Sequence, residues 1–176
     1  MYRVGIITSS DKGAAGERED LSGPAIRELL PAERYQVVAY QVVPDDKEIL
    51  KEVLIRFCDE EKCHLVLTTG GTGFSQRDVT PEATTEVVGR MVPGIGEAIR
   101  AYSLSITKRA MLSRAVSGIR GNTLIINLPG SPKAVKESLV YILDTLPHGL
   151  DILSGEAGEC GNSPHEHVIT GNVVGE

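Results

Sequence analysis

The sequence predicts an α/β fold in which helices cover both faces of a mostly parallel β-sheet. Short apolar runs of strand-forming residues alternate with segments whose apolar residues recur at helical spacing. This alternation is typical of βαβ units. The chain length of 176 residues corresponds to one core, at roughly 100–200 residues per domain.

The first elements are a strand, a loop and a helix. Residues 4–8 form an apolar run that stops at the polar loop 9–13. Ser22 is the predicted N-cap of the first helix, with Pro24 in its first turn. Pro31 ends that helix.

A second strand and helix come next, followed by a third strand. The second strand covers residues 35–43, and Asp45 or Asp46 caps a helix with an apolar stripe over residues 49–57. Residues 64–69 form the third strand.

The middle of the chain opens with a glycine-rich loop at residues 70–73. A helix then starts at Thr80, which is its predicted cap, because Pro81 fits the first helical position. Residues 94–105 form a further helix, and residues 107–121 lack clean periodicity, which indicates an irregular segment or a short ribbon.

The last core elements are a strand over residues 124–128 and a long helix. The helix opens at Ser131-Pro132 after a Pro-Gly turn, and Pro147 kinks or ends it. The sequence therefore predicts four core strands, whose carboxyl ends meet at one edge of the sheet.

The chain divides into a domain of residues 1–153 and a Gly-rich acidic tail of residues 154–176. Segments 168–170 and 173–174 of the tail could add an extended edge or arm. A metal site in the tail is not predicted, because no fourth ligand accompanies Cys160, His165 and His167.

Composition excludes several classes of protein. The net charge of −6 and the scarcity of aromatic residues, two Phe and five Tyr, argue against nucleic acid as a partner. No apolar run approaches the roughly 18 residues of a membrane helix, and no signal peptide precedes the first strand, so we expect a cytoplasmic protein. The three cysteines lack CxxC spacing and are expected to be free thiols.

Charge is spread unevenly along the chain. Between Arg90 and Lys136 there are eight basic residues and one acidic residue, whereas from Glu137 onward there are seven acidic residues and no basic one. The basic segment forms either a local positive patch or a set of solvated helix faces.

Ligands of such sheets bind at the carboxyl ends of the strands, which selects the loops 9–13, 69–78 and 127–131. The glycines of residues 70–73 allow a phosphate to approach backbone N–H groups, although a tight turn would also explain them. The loop is neither a Walker A loop nor GxGxxG, because the further residues of those motifs are missing.

Two carboxylates are candidates for a magnesium site. Only one of Asp45 and Asp46 can cap the helix that follows, and Thr80 is a better cap than Asp78. One carboxylate from each place would therefore face the crevice, where the pair could hold Mg²⁺ against substrate phosphates. Both groups could instead be caps.

The turn at residues 127–131 leads into a helix N-terminus, which favours an anion, and a well-made turn and cap would account for it equally. The basic segment could add hydrogen-bond donors through Ser113, Arg114 and Arg120, which are weak signals individually. Together these residues indicate an α/β enzyme that handles phosphates with Mg²⁺ and without a covalent nucleophile.

Residues 67–73 (LTTGGTG) and 77–82 (RDVTPE) resemble the Mog/MoaB family of molybdenum cofactor biosynthesis proteins, particularly its Mog-type adenylyltransferases. The likeness spans roughly residues 3–153. It continues at Ser10-Asp11, Pro44-Asp45, Pro93-Gly94, residues 111–114, residues 118–121 and residues 126–131.

The resemblance implies a three-layer αβα domain that assembles as a homotrimer and adenylylates molybdopterin with ATP, releasing pyrophosphate. By the same match Asp45 and Asp78 are the functional aspartates and the Mg²⁺ ligands, and Ser113 lies in the pterin pocket. The implied substrate-binding residues are Ser10, Asp11, Thr69, Gly70, Gly71, Thr72, Gly73, Ser113, Arg114, Asn127, Pro129, Gly130 and Ser131.

The expected mechanism is in-line attack by the molybdopterin phosphate on the α-phosphorus of ATP, with Arg114 or its neighbours supporting the developing charge. A metal-insertion protein would act next. Alternatives are a molybdopterin carrier without adenylylation and a pyrophosphatase of the same fold. Lys12 stands where the family often has Arg. A lysine keeps the positive charge but cannot bind a phosphate in the bidentate geometry of arginine.

Overall fold

The computed structural model describes residues 1–155. Its strands are β1 Tyr2–Ser9, β2 Tyr35–Val43, β3 Leu65–Thr69, β4 Arg90–Met91, β5 Ser117–Arg120 and β6 Thr123–Leu128. Its helices are α1 Asp11–Ala14, α2 Ser22–Leu29, α3 Lys47–Asp59, α4 Thr80–Val87, α5 Pro93–Ile106, α6 Pro132–Ile142 and α7 Leu146–Ser154, with a 3₁₀ helix at Lys108–Leu112. The extended pieces expected at 168–170 and 173–174 lie outside the described residues, as do Cys160, His165 and His167.

The strands form one sheet in the order β2-β1-β3-β6-β5-β4. The pairs β1–β2, β1–β3 and β3–β6 are parallel, whereas β5 pairs antiparallel with both β6 and β4. The mostly parallel α/β sheet is therefore confirmed. The antiparallel part of the sheet uses β5, which lies in the segment 107–121 expected to be irregular or a short ribbon, and β4, which the sequence did not indicate.

Alternate residues of the central strands pack into two cores, one on each face of the sheet. Leu65 and Leu67 of β3 pack with α2, α5, α6 and α7, and Val66 packs with α3 and α4. The three-layer αβα architecture is thus confirmed. None of the helices in residues 1–155 is long and apolar enough to cross a membrane.

Two predicted helix caps are wrong. The hydroxyl of Ser22 donates to the carbonyl of Gly130 (2.9 Å), and that of Thr80 donates to the carbonyl of Gly70 (3.0 Å). Both residues begin their helices without capping them. The hydroxyls instead tie helix starts to loops at the strand ends.

The long C-terminal helix is two helices. α6 ends at Ile142, and Pro147 lies in the first turn of α7. Pro147 therefore helps to start a helix, as its fixed φ and missing N–H allow. Residues 107–121, expected to be irregular or a ribbon, contain the 3₁₀ helix and β5.

Candidate functional site

Three loops meet where β1, β3 and β6 end. The hydroxyl of Thr69, at the end of β3, donates to the carbonyl of Pro129 after β6 (2.6 Å). The bond from Ser22 to Gly130 attaches the start of α2 to the same turn. These bonds connect the selected loops 69–78 and 127–131 with each other and with the start of α2.

The glycine loop after β3 depends on its glycines for both backbone conformation and space. Gly70 and Gly71 have positive φ angles of 90° and 64°. A Cβ atom on Gly70 would lie 2.3 Å from the carbonyl oxygen of Ser9, and one on Gly73 would lie 2.9 Å from Oδ2 of Asp78. The loop thus packs directly against β1 and against the Asp78 carboxylate.

Asp45 lies beside the glycine loop, and Asp46 is the helix cap. The Asp46 carboxylate accepts from two backbone N–H groups in the first turn of α3. Asp45 accepts instead from the hydroxyl of Ser9 (2.6 Å) and from the backbone N–H of Asp11 (3.0 Å). Its Oδ1 lies 3.4 Å from the position of a Cβ on Gly71, beside the glycine loop.

Asp78 also lies against the glycine loop, next to Gly73. Its Oδ2 accepts from the backbone N–H of Ser75 (2.8 Å) and does not cap α4. The sequence selected Asp78 as a candidate metal ligand because Thr80 was expected to cap α4. Thr80 is not a cap either, so that reason is wrong. The structure nonetheless brings both Asp45 and Asp78 against the glycine loop.

Arg77 joins this loop to the start of α1. Its Nε and Nη2 donate to the Asp11 carboxylate at 3.0 and 2.8 Å. Those bonds, together with the backbone N–H of Asp45, hold the pKa of Asp11 below its usual value. Asp11 therefore remains a carboxylate between Asp45 and Arg77.

The donor set fits a magnesium ion. Carboxylate oxygens accept more than one bond, so the contacts of Asp45 and Asp78 leave lone pairs for a cation. Within residues 1–155 no group of three or more His, Cys, Asp or Glu residues could hold a metal ion. Mg²⁺ commonly uses one or two carboxylates, waters and substrate phosphates rather than an all-protein cage.

A cavity of about 480 Å³ opens on the β1 side of the loops. Five predicted binding residues line it: Ser10, Thr69, Gly70, Gly130 and Ser131. The start of α2 and the segment before it, including Arg18 and Asp20, form another wall.

Asp20 is a residue of this wall that sequence reasoning missed. Its carboxylate accepts from the hydroxyls of Thr8 and Tyr40 (2.6 Å each) and from the N–H groups of Ser22 and Gly23. Burial opposes its ionisation, but these bonds outweigh burial, so the pKa of Asp20 is lowered. Its position just before the start of α2 is a capping signal that could have identified it.

A second cavity, of about 280 Å³, lies on the α5 and α6 side. The predicted residues Thr72, Gly73, Ser113 and Pro129 line it. Apolar side chains from α5 and the 3₁₀ helix form much of its wall, and polar atoms come from residues that include Arg109 and Glu137.

Arg114 donates hydrogen bonds to the backbone of the glycine loop and of Asp78. Its Nε donates to the carbonyl of Gly73 (2.7 Å) and its Nη2 to that of Asp78 (2.6 Å), and Nη1 pairs with Glu82. The structure therefore gives Arg114 contacts that position the loop, and its support of charge on the phosphates stays a prediction.

Asn127 lies away from both cavities, contrary to its expected place on the nucleotide side. It is buried, and its amide donates to the hydroxyls of Thr68 and Thr84 at 2.9 Å each. Its oxygen accepts from the backbone N–H of Val116. These contacts join β6 to β3, α4 and the segment before β5.

Three basic residues of the segment from Arg90 to Lys136 bind oxygens of the protein itself. Arg120 pairs with Asp59, Arg114 pairs with Glu82, and Arg100 donates to the carbonyl of Ala115. The two alternatives, a local positive patch and a set of solvated helix faces, stay predictions.

Cys58 and Cys63 are free and buried. Burial raises the pKa of Cys58 to about 11 and that of Cys63 to about 12. Both thiols therefore stay protonated near neutral pH, as expected of structural cysteines.

Comparison with known proteins gives a consistent set of relatives. Residues 5–148 match the family model described as a probable molybdopterin binding domain. A molybdopterin adenylyltransferase of Helicobacter pylori is 44% identical over 158 residues, which cover 86% of this chain and 88% of that protein.

Solved structures agree with the sequence match. The molybdopterin biosynthesis enzyme MoaB of Thermus thermophilus is 52% identical, with a TM-score of 0.84, 88% of this chain and 98% of that chain covered. The tungsten cofactor synthesizing protein MoaB of Pyrococcus furiosus is 41% identical, with a TM-score of 0.76 and coverage of 86% and 96%.

Proposed function

The chain belongs to the family of probable molybdopterin binding domains, and we propose that it is the molybdopterin adenylyltransferase of molybdenum cofactor biosynthesis. It transfers AMP from ATP to molybdopterin and releases pyrophosphate. Relatives that carry this name are 44% identical over most of the chain.

The observation that carries the proposal is the pair of cavities on one glycine loop. Gly70 lines the first cavity, whereas Thr72 and Gly73 line the second. Two substrates bound in these cavities would meet at the loop, where the carboxylates of Asp45 and Asp78 lie. We assign ATP to the first cavity and molybdopterin to the second, which contains Ser113.

The reaction is an in-line displacement at the α-phosphorus of ATP. An oxygen of the molybdopterin phosphate forms the new P–O bond, the bond from the α-phosphorus to the α–β bridging oxygen breaks, and its electron pair leaves with pyrophosphate. No protein nucleophile is needed, so catalysis consists of positioning and charge stabilisation.

The chain's residues supply that positioning. Arg114 fixes the carbonyls of Gly73 and Asp78, and Thr80 fixes that of Gly70. These bonds fix the conformation of the loop, so that its backbone N–H groups can stabilise charge on the phosphates. Asp45 and Asp78 would hold Mg²⁺, which neutralises phosphate charge when bound.

Assembly and pathway extend the proposal. The apolar side chains of Leu104 on α5 and Met111 on the 3₁₀ helix are 41% and 62% exposed. We propose that a homotrimer covers this surface in the cytoplasm, and that a metal-insertion protein consumes the adenylylated product. Sedimentation equilibrium tests the assembly: a mass of three chains supports it, and a mass of one chain contradicts it.

The activity is tested with purified protein, MgCl₂ and ATP, with and without molybdopterin. The proposal predicts pyrophosphate release only when molybdopterin is present. Molybdopterin binding without release would identify a carrier, and release without molybdopterin would identify a different nucleotide-processing enzyme. EDTA tests the metal: unchanged turnover in its presence would contradict the assignment of Mg²⁺.

A further inference from the structure

The second cavity contains a carboxylate that the reaction described above does not use. Glu137 of α6 is the acidic residue among the described residues that line this cavity. Its side chain is 30% exposed, so it is largely enclosed. A carboxylate in a largely apolar pocket is a strong orienting group for a ligand that carries N–H donors.

The protein itself provides little to satisfy this carboxylate. Within residues 1–155 its ion-pair partner is Lys133, one helical turn earlier, at 3.8 Å. The Lys133 side chain is 82% exposed, so solvent screens the pair and holds it weakly. The Glu137 oxygens therefore retain accepting capacity for a ligand.

The remaining walls provide apolar surface on which a flat heteroaromatic ring can pack, from Ile99 and Ile106 of α5, Leu112 of the 3₁₀ helix and Pro129 after β6. The polar residues of the lining include Arg100, whose guanidinium donates to the carbonyl of Ala115, and Ser103, Thr107 and Arg109. The first cavity is lined by two acidic residues, Glu19 and Asp20, and Asp20 already accepts from four protein donors.

A pterin ring matches this arrangement chemically. Its 2-amino group and the neighbouring N3–H are parallel donors along one edge of the ring. A carboxylate accepts such a pair through both oxygens, as it does from the parallel N–H groups of arginine. The ring faces then pack on the apolar walls.

We propose that Glu137 is the specificity-determining residue that reads the amino-pyrimidinone edge of the pterin. This inference rests on the proposed function for the choice of ligand. It places the pterin ring in the second cavity, with its 2-amino edge toward α6 and its phosphate-bearing side toward the glycine loop.

The test compares 6-hydroxymethylpterin with 6-hydroxymethyllumazine, in which an oxygen replaces the 2-amino group. Binding is followed by ligand fluorescence, which is simple here because the chain has no Trp. The wild-type protein should bind the pterin at least about tenfold more tightly, because the lumazine cannot donate both bonds to the carboxylate. Glu137→Gln should reduce this preference to about twofold or less.

Lys133→Ala is the matched control on the same helix. Since Lys133 is exposed and only weakly paired with Glu137, the variant should keep the wild-type preference for pterin. Melting temperatures of all variants verify the fold, and Glu137→Ala provides a second replacement if Glu137→Gln does not fold.

The outcomes separate this inference from the proposed activity. A wild-type protein that does not distinguish the two ligands, or a Glu137→Gln protein that still prefers pterin, overturns the role of Glu137. AMP transfer with an unchanged KM for molybdopterin in Glu137→Gln also overturns it, while leaving the activity intact. A Glu137-dependent preference without AMP transfer supports the inference and contradicts the activity.

Discussion

Replacing Gly70 by alanine should strain the end of β3 where the glycine loop begins. Gly70 has a φ angle of 90°, and an added Cβ would lie 2.3 Å from the carbonyl oxygen of Ser9. Ser9 belongs to β1, which is paired on both sides by β2 and β3. The carbonyl cannot move away without disturbing the central sheet, so the contact is not relieved cheaply.

Gly121 provides a matched control for the size of this effect. Its φ angle is also positive, 55°, but an added Cβ would meet no atom within 4 Å. Gly121→Ala should therefore cost only the conformational term, about 1–2 kcal/mol. Gly70→Ala should cost that amount and a steric term of about 1–3 kcal/mol. The difference isolates the contact with Ser9.

Urea and thermal unfolding followed by far-ultraviolet circular dichroism measure both variants. A difference of about 2 kcal/mol corresponds to a melting temperature roughly 4–8 °C lower for Gly70→Ala than for Gly121→Ala, in a chain of this size. Equal losses of stability in the two variants would refute the argument that close packing against β1 requires glycine at position 70.

Three further substitutions test individual assignments. Asp78→Asn should reduce pyrophosphate release at least about 100-fold while equilibrium dialysis shows unchanged molybdopterin binding; full turnover contradicts the metal role. The pKa of Asp20 is lower in the folded protein than in the unfolded chain, so its ionised carboxylate stabilises the fold above about pH 4. This stabilisation is lost as the pH falls and the carboxylate is protonated. The gap in unfolding free energy between wild type and Asp20→Asn should therefore shrink in acid, and a constant gap would be inconsistent with ionised Asp20. Asn127→Ala leaves the Val116 N–H without its partner and should lower the unfolding free energy by about 2–3 kcal/mol; the KM for ATP should not change, and a large increase would place Asn127 at the nucleotide.

The central strands could be predicted because their signal is local. Residues 65–67 and 124–126 are apolar without interruption, as strands buried on both faces must be. The antiparallel strands β4 and β5 lack this signal, since β4 has two exposed residues and β5 is only half buried. Their pairing is set by tertiary contacts.

The roles of Ser22 and Thr80 could not be predicted from sequence alone, because their hydroxyls bind carbonyls of loops at the strand ends. Ser22 donates to a carbonyl 108 residues away in the sequence. The pattern around Ser22 fits a cap equally well, and only the fold brings Gly130 within reach. Pro147 was ambiguous for a related reason, since proline fits the first turn of a helix and also stops one.

The strand-end rule located the candidate site but not the direction of each side chain. Asn127 is paired in register with Thr68, one residue before the strand ends, and its side chain contacts α4. Side chains alternate between the faces of a strand, so neighbouring residues of one motif contact different layers. Asp46 is the cap of α3, so Asp45 is not. The sequence had limited the cap to one of these two residues.

The most direct test of AMP transfer follows the label of radioactive ATP in the complete reaction with molybdopterin and MgCl₂. With label in the α-phosphate, the pterin product should become radioactive, and with label in the γ-phosphate, only pyrophosphate should. A pterin labelled from the γ-phosphate would show phosphoryl transfer, and an unlabelled pterin with both ATP preparations would show that no group is transferred. Either result would contradict the adenylyltransferase.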